Sequence, residues 1–255
     1  LKAVGESEEK PLLYYDVNVS GTLSLLHAMD RAGCKKFIFS SSATVYGEPV
    51  YLPYDEAHPT NPTSVYGRSK LIAESILSDW ANGGEDRAAV LLRYFNPVGA
   101  HGSAQIGEDP KDIPNNLMPF IAQVAVGKRN SLQVFGDDYD TPDGTGQRDY
   151  IHVVDLARAH VAAINYAEHA SGARPFNIGT GQSYSVREMV HAFEKACGHP
   201  IQTQTVARRR GDIAAMQADA RRAKAELKWE AEFGLEEMAA STWSWQSKNP
   251  DGYGP

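Results

Sequence analysis

Two short apolar runs, separated by a helical pattern, constrain the fold of this chain most strongly. Residues 36–40 and 88–94 each read as a buried strand, and residues 64–82 between them read as a helix with Ser64 as its N-cap. An earlier helical pattern runs from Pro11 to Gly33. Consecutive strands joined through a helix build a parallel sheet, because a parallel neighbour needs a crossover connection. We therefore predict an α/β fold.

The sequence changes character after residue 97. Residues 97–116 are rich in proline and glycine and predict a long irregular segment, and such segments within a compact domain are usually functional. The last residues, 243–255, are expected to form an exposed terminal turn. Further helices are predicted at 117–126, 154–168, 186–196 and 220–227, and short strands at 132–135, 148–152 and 174–178.

The charge balance disfavours a nucleic-acid partner. The chain has 32 acidic and 25 basic residues and a formal charge of −7, whereas nucleic-acid binding needs a basic face. A local group of arginines at 208–210 is still a candidate site for an anion such as pyrophosphate, because guanidinium groups bind two oxygens at once. A solvated basic loop is the alternative interpretation.

Cysteine usage and hydropathy suggest a cytoplasmic protein. Cys34 and Cys197 are far apart and have no metal-ligand spacing, so we expect a reducing compartment and no metal. No run of about 18 apolar residues is present, so no membrane partner is expected.

Tyr66 and Lys70 are the first candidates for catalysis. They lie four residues apart at the start of the predicted helix and therefore share a face. A tyrosine phenol has a pKa of about 10 and is a poor base at neutral pH, but a neighbouring ammonium group favours the phenolate. The pair is thus suited to taking a proton from an alcohol. The same spacing also occurs by chance at solvated helix starts.

A row of hydroxyl side chains, residues 40–44, ends the first predicted strand. Ligands of open α/β sheets bind outside the carboxyl ends of the strands. Ser42 and Thr44 are therefore expected to face the same crevice as Tyr66 and to hydrogen-bond a reacting hydroxyl. A serine-rich turn that only caps the sheet is the alternative.

Three motifs in this order carry a family resemblance: Ser-Ser-Ser-Ala-Thr-Val-Tyr-Gly at 40–47, Tyr-Gly-Arg-Ser-Lys at 66–70 and Arg-Tyr-Phe-Asn-Pro at 93–97. The chain resembles the extended short-chain dehydrogenase/reductase family. Residues 98–101, 107–110, 113–119 and 144–152 resemble the nucleotide-sugar epimerases within it, and the similarity continues through 208–212 to 243–245.

The resemblance implies a Rossmann-type parallel sheet, truncated at its N-terminal half, and a smaller α+β C-terminal substrate domain. Residues 1–97 would be what remains of the NAD-binding domain. Residues 98–255 would bind the nucleotide sugar, with segments near 145–180 returning to the first domain. No glycine-rich phosphate loop opens the sequence. We therefore expect the parent enzyme to use NAD and this chain alone to be inactive.

The implied reaction is the reversible interconversion of UDP-glucose and UDP-galactose by NAD-mediated oxidation and reduction at sugar C4. Tyr66 matches the catalytic base, Lys70 its partner, and Ser42 and Thr44 the hydroxyls that contact the sugar. The matches to the cofactor site are Lys2, Ser42, Tyr66, Lys70 and Phe95. The matches to the UDP-hexose site are Ser42, Ala43, Thr44, Tyr94, Phe95, Asn96, Asn115, Asn116, Leu117, Gln133, Val134, Phe135, Arg148, Arg209, Arg210, Gly211, Asp212 and Met216.

Two finer expectations also come from the resemblance. Met216 matches a residue that limits room at the sugar 2-position, and because methionine is slimmer than an aromatic ring, some tolerance for N-acetylated hexosamines is expected. Relatives are commonly homodimers, so helices 12–32 and 64–82 are expected to pair across a dimer.

Three alternatives to the epimerase remain. A 4,6-dehydratase would need acidic residues after the strand-end threonine, and Ala43-Thr44-Val45 supplies none. A sugar decarboxylase or reductase of the same fold is a second alternative, and a non-catalytic nucleotide-sugar-binding remnant is the third.

Overall fold

The computed structural model describes residues 1–111, 113–209 and 211–254 and divides into two compact units. The first unit comprises Leu1–Phe95, Arg158–Ile178 and Ala218–Glu230. The second comprises Asn96–Ala157, Gly179–Gln217 and the chain from Ala231 onward. The chain therefore returns to the first unit twice, and the sequence analysis did not anticipate the second return, at Ala218–Glu230.

The strands, in chain order, are β1 (Lys36–Ser40), β2 (Ala88–Tyr94), β3 (Asn96–Val98), β4 (Leu132–Phe135), β5 (Gln147–His152), β6 (Gly172–Ile178), β7 (Ser183–Ser185) and β8 (Thr203–Val206). The α-helices are α1 (Val4–Glu9), α2 (Pro11–Tyr15), α3 (Gly21–Ala32), α4 (Val65–Asn82), α5 (Leu117–Ala125), α6 (Val153–His169), α7 (Val186–Cys197) and α8 (Leu235–Lys248). Short π-helical stretches span Asp16–Ser20 and Ala223–Leu227, and a 3₁₀ turn spans Ala43–Val45.

The first unit is built on a parallel sheet in the order β1-β2-β6. Ser40 at the end of β1 lies opposite Leu92 of β2, and Tyr94 at the end of β2 lies opposite Ile178 of β6. The carboxyl ends of the strands therefore meet at one edge, where ligands of such sheets bind. The predicted parallel α/β fold and both early strands are confirmed.

Helices α3 and α4 cover one face of this sheet. Their apolar side chains form one cluster with the strands, made of Leu26, Phe39, Ala73, Leu77, Ala81, Ala89 and Leu91. The helical segment that starts at Pro11 ends where Gly33 takes a left-handed conformation with φ of 68°, which a residue without Cβ adopts at little cost. Ser64 caps α4 by accepting a hydrogen bond from Gly67 N at 3.0 Å, as predicted.

In the second unit, β5 pairs in parallel with β3 and antiparallel with β7, and β4 pairs in parallel with β8. Helices α5, α7 and α8 pack against these strands around a core that includes Met118, Ile121, Phe193 and Met238. Ser185 and Glu188 form a reciprocal capping box at the start of α7.

The prediction of an exposed terminal turn at 243–255 is wrong over its first half. Residues 243–248 belong to α8, and Trp245 is only 2% exposed. Met238, Thr242 and Trp245 recur at helical spacing and are all buried, so the missed helix is amphipathic. Among the residues that the structure describes, no helix is long and apolar enough to cross a membrane, and no three metal-ligating side chains cluster.

Candidate functional site

The first turn of α4 lies directly against the 3₁₀ turn Ala43–Val45. A Cβ atom placed on Gly67 would lie 2.8 Å from the Thr44 carbonyl oxygen and 2.9 Å from Pro62 Cβ. The helix therefore approaches the turn this closely only because residue 67 has no side chain. The neighbouring Tyr66 is brought to the end of β1 by this contact.

The Ser42 side chain lies beside the Tyr66 phenol, where its hydroxyl lowers the pKa of the phenol. Ser42 Oγ also accepts from Thr44 N at 3.2 Å and from Thr44 Oγ1 at 2.9 Å. Tyr66 and Ser42 are 7% and 8% exposed, so these polar groups lie in a largely dry environment. The structure thus brings together three of the four residues predicted to be catalytic.

The fourth, Lys70, lies one turn further along α4. Its Nζ donates a hydrogen bond to the Ser40 carbonyl oxygen at 2.9 Å. The same nitrogen is 4.9 Å from the centre of the Phe39 ring and 5.9 Å from that of the Tyr66 ring. Burial lowers the pKa of Lys70, and the negative charge of Glu74 opposes this shift. The ammonium group is therefore near the phenol, as the spacing predicts.

The acidity of the phenol differs from what the sequence predicts. Burial raises the pKa of Tyr66 to about 12, Tyr94 and Tyr14 add to the shift, and the Ser42 hydroxyl opposes it. The expectation that the protein's own ammonium group makes this phenol more acidic is not met, because loss of hydration dominates. A second positive charge beside the ring is needed to favour the phenolate.

The other predicted residues of the first unit take different positions around this centre. Tyr94 ends β2, and its hydroxyl forms a hydrogen bond with the Ser40 side chain. Phe95 is buried, and its N donates to the Ile178 carbonyl oxygen at 3.1 Å. Ala43 is buried in the 3₁₀ turn, and Lys2 is exposed ahead of α1.

The second unit holds a pocket of about 350 Å³, within the size range of small-molecule sites. Most of the residues predicted to bind the nucleotide line it, namely Asn96, Asn115, Asn116, Leu117, Gln133, Phe135, Arg148, Arg209 and Asp212. Val134 instead faces the hydrophobic core, because alternate residues of a strand point to opposite faces. Gly211 has φ of 84° and Met216 is buried, and neither is among the described residues that line the pocket. Arg210 lies outside the described residues.

The pocket is suited to an anion attached to a flat ring. The Arg209 guanidinium group stacks over Phe135 at 4.6 Å, and its Nε lies 3.0 Å from Asp212 Oδ2. Arg148 supplies a second positive charge to the lining. Helix α5 starts at the pocket with no side-chain cap, so its first backbone N–H groups and the positive end of its dipole are available to an anion.

Aromatic side chains of the pocket, including Tyr139, were missed by the sequence analysis. Tyr139 and Tyr150 line the pocket, and burial raises the pKa of Tyr150 to about 12. The Arg208 guanidinium lies 4.0 Å from the centre of the Tyr139 ring, and its Nε donates to Asp138 Oδ1 at 2.6 Å. Of the predicted arginine cluster, Arg209 therefore lines the pocket, whereas Arg208 is paired with Asp138.

A larger groove of about 750 Å³ lies in the first unit along α6 and the segment 226–229. Arg158, Tyr166 and Trp229 are among its lining residues. Among the described residues, none of those predicted to bind the cofactor or the sugar lines this groove, so the candidate functional residues are those of the two centres above, one in each unit.

The chain belongs to the NAD dependent epimerase/dehydratase family, whose model matches residues 1–179. It is 56% identical over 255 residues to the UDP-glucose 4-epimerase of Mus musculus, an alignment that covers all of this chain and 74% of the mouse protein. It is 58% identical over 254 residues to the UDP-glucose 4-epimerase of Yersinia pestis, covering 99% of this chain and 75% of that protein.

A solved structure agrees with the fold. The UDP-glucose 4-epimerase of Bifidobacterium longum, crystallised with NAD⁺ and UDP, superposes with a TM-score of 0.95 at 57% identity. The match covers 99% of this chain and 76% of that chain. The Rossmann-type fold that the family resemblance implied is confirmed, and so is the predicted membership of the family.

Proposed function

We propose that this protein interconverts UDP-glucose and UDP-galactose through NAD-dependent oxidation and reduction at sugar C4. The observation that carries the proposal is the buried Tyr66 phenol, which lies beside Ser42 and 5.9 Å from the Lys70 ammonium nitrogen, measured to the ring centre. The substrate is inferred from the two UDP-glucose 4-epimerases described above, which align with essentially the whole chain and are identical to it at more than half of the aligned positions.

The pocket of the second unit is the proposed site for UDP. Arg148, Arg209 and the start of α5 supply the positive charge that a diphosphate requires. Phe135 and the polar side chains around it supply a surface for the uridine. Firm binding of the nucleotide lets the hexose turn between the two hydride-transfer steps without loss of the substrate.

Tyr66 is the proposed base for the proton of the sugar 4-hydroxyl, with Ser42 and Thr44 as hydrogen-bond partners of that hydroxyl. NAD, when bound, supplies the hydride acceptor and the positive charge that a phenol with a pKa of about 12 requires. Lys70 fits a role in holding the cofactor's ribose, because an ammonium group has three donors and Ser40 O accepts one of them. Tyr94 and Phe95 are the proposed lining beside the nicotinamide, and Lys2 is a further proposed contact of the cofactor.

Replacing Tyr66 with phenylalanine tests the proposal. In the protein supplied with NAD, Tyr66→Phe is expected to lower conversion of UDP-galactose to UDP-glucose at least a hundredfold, because proton transfer by a positioned side chain contributes about 10²–10⁴-fold. UDP binding, measured by calorimetry, should stay within about twofold, because that pocket is built from other residues. Tyr166→Phe is the matched control.

Two results would contradict the proposal. Full turnover by Tyr66→Phe would remove Tyr66 from the chemistry. Parallel loss of turnover and of UDP affinity would assign Tyr66 a role in folding instead.

Substrate breadth is proposed to depend on Met216. This side chain is buried, and its backbone N donates to the Gln147 carbonyl oxygen at 3.0 Å, which fixes its position beside β5. A flexible thioether adapts to a bulkier group at the sugar 2-position more readily than an aromatic ring does. We therefore expect measurable turnover of UDP-N-acetylgalactosamine, and a complete lack of it would end this part of the proposal.

A homodimer is proposed from the surface of α2 and α3. Leu12 is 82% exposed, and Leu13, Val17 and Leu25 are also largely exposed on this helical segment. Such a concentration of apolar side chains is typical of an interface between protein chains. Light scattering should give the mass of a dimer for the parent protein and of a monomer for Leu12→Lys.

The two free cysteines, Cys34 and Cys197, fit the cytoplasmic location that we also propose.

A further inference from the structure

A buried ion pair lies behind the catalytic centre of the first unit. Glu74 and Arg93 are 3% and 7% exposed. Arg93 Nε lies 2.9 Å and 3.2 Å from the two carboxylate oxygens of Glu74, and the second guanidinium nitrogen donates at 2.6 Å. The contact is therefore a bidentate pair with both charges shielded from water.

Glu74 is connected to the strand end that carries Ser42. The buried Ser41 hydroxyl donates a hydrogen bond to Glu74 Oε1, and Ser41 immediately precedes Ser42. The turn that follows Ser42 packs against the first turn of α4, where a Cβ on Gly67 would lie 2.8 Å from the Thr44 carbonyl oxygen. A displacement of residue 41 would therefore also displace Ser42 beside the Tyr66 phenol. Glu74 thus sets the position of Ser42 without touching Tyr66 itself.

Glu74 also acts on Lys70 through its charge. Tyr66, Lys70 and Glu74 follow one another at intervals of four residues along α4, and so lie on one face of the helix. Tyr66 and the Leu1 amino group also face Lys70, and neither is a carboxylate. The Glu74 carboxylate raises the pKa of Lys70 against the effect of burial.

Stability alone is a weak explanation for this pair. The desolvation of two charges commonly cancels their attraction, and well-packed apolar residues in their place are often neutral or stabilising. The geometric and electrostatic links to Ser41 and Lys70 give the pair a second role.

We propose that Glu74 is a positioning residue of the active site: its carboxylate fixes Ser41, and hence the strand end that carries Ser42, and lies one turn of α4 from the Lys70 ammonium group. The proposal rests on the function proposed above for Tyr66 and Lys70. Arg93 holds the carboxylate in place and is itself tied to Tyr46 and, through it, to Asn177 of β6.

Three variants of the complete gene product test it. Ser41→Ala removes the hydroxyl that Glu74 accepts but keeps the ion pair. Glu74→Gln removes the charge but keeps the side-chain shape. Ser78→Ala is the matched control, because the Ser78 hydroxyl donates to the backbone carbonyl of Glu74 at 2.7 Å and not to its carboxylate.

The measurements separate positioning from folding. For Ser41→Ala we expect kcat to fall about tenfold with KM and UDP affinity unchanged, since even 1 Å of misplacement costs up to about a hundredfold. For Glu74→Gln we expect the alkaline limb of the kcat profile to move to lower pH. The titration of the Lys70 ε-carbon, followed by NMR and assigned with Lys70→Arg, should move in the same direction. Ser78→Ala should match the parent in every measurement.

The proposal is overturned if Ser41→Ala turns over like Ser78→Ala, or if Glu74→Gln leaves the Lys70 titration unchanged. Should Glu74→Gln fail to fold, the Ser41→Ala arm decides alone. A parent protein that does not interconvert the two UDP-hexoses refutes the proposed function instead, and the NMR titration then still decides whether Glu74 controls the charge of Lys70.

Discussion

Gly67→Ala is the substitution that tests most directly how the fold positions Tyr66, the proposed base. The new Cβ would lie 2.8 Å from the Thr44 carbonyl oxygen, and ordinary contact begins near 3.4 Å. The first turn of α4 and the turn Ala43–Val45 must therefore separate by about 0.6 Å. The obstructing atom belongs to the backbone, so it cannot move aside as a flexible side chain would.

Two energies oppose each other in this variant. Overpacking costs about 1–3 kcal/mol, whereas glycine-to-alanine replacement within a helix returns up to about 1 kcal/mol. We expect a net loss of about 1–2 kcal/mol in the free energy of unfolding. A separation of about 0.6 Å between Tyr66 and its Ser42 partner should lower kcat roughly tenfold, by the same geometric sensitivity that makes 1 Å cost up to a hundredfold.

The assay follows conversion of UDP-galactose to UDP-glucose through a coupled dehydrogenase, alongside thermal denaturation. Gly5→Ala is the matched control, because it also lies in a helix but a Cβ there meets nothing within 4 Å. That variant should keep full turnover and be equally or more stable. If Gly67→Ala matches Gly5→Ala in both measurements, the close approach of α4 to the turn does not position Tyr66.

Three further predictions concern pH, the nucleotide and the sugar. Burial raises the pKa of Tyr150 to about 12 in the folded protein, above the reference value of about 10 for an unfolded chain. The stability that the neutral Tyr150 side chain contributes is therefore complete below a pH of about 10 and is lost as the pH rises towards 12. Tyr150→Phe should flatten the fall of the melting temperature over that range. Arg209→Lys should weaken UDP binding about tenfold by calorimetry, because lysine cannot bond two phosphate oxygens in one plane, while Arg221→Lys in the first unit should leave it unchanged. Met216→Tyr should reduce turnover of UDP-N-acetylgalactosamine relative to that of UDP-galactose, and equal losses on both substrates would refute a role in selecting the sugar.

The parts of the fold that repeat a simple pattern were predictable from the sequence. β1 and β2 are short and apolar, and α4 starts at a serine that caps it, so local patterns locate all three. Helix α8 was not predicted, and its second half was expected to belong to an exposed terminal turn. Trp245 is buried against Ala100 and Ala104, which lie more than a hundred residues earlier in the chain, so no local sequence pattern predicts that contact.

The candidate site shows the same division between what is local and what is not. The spacing of Tyr66 and Lys70 predicts that they share a helix face, and the structure places the Lys70 nitrogen 5.9 Å from the phenol ring. The spacing cannot predict the desolvation that raises the pKa of Tyr66 to about 12, because other segments bury the side chain, including the residues around Tyr14 and Tyr94. Nor can the spacing predict the hydrogen bond from Ser41 to Glu74, which joins a strand end to a helix residue 33 positions later in the sequence.

The raised pKa of Tyr66 and the position of Glu74, neither of which the spacing predicts, both bear on the proposed catalysis. A phenol with a raised pKa is largely un-ionised at neutral pH, and burial also lowers the pKa of the Lys70 ammonium group near it. In the proposed reaction, a bound cationic nicotinamide would supply the positive charge that favours the phenolate of Tyr66, and the same cofactor would accept the hydride. Glu74 lies one turn along α4 from Lys70 and two turns from Tyr66, so in the proposed arrangement its carboxylate supports the positive charge of Lys70 more strongly than it opposes the Tyr66 phenolate.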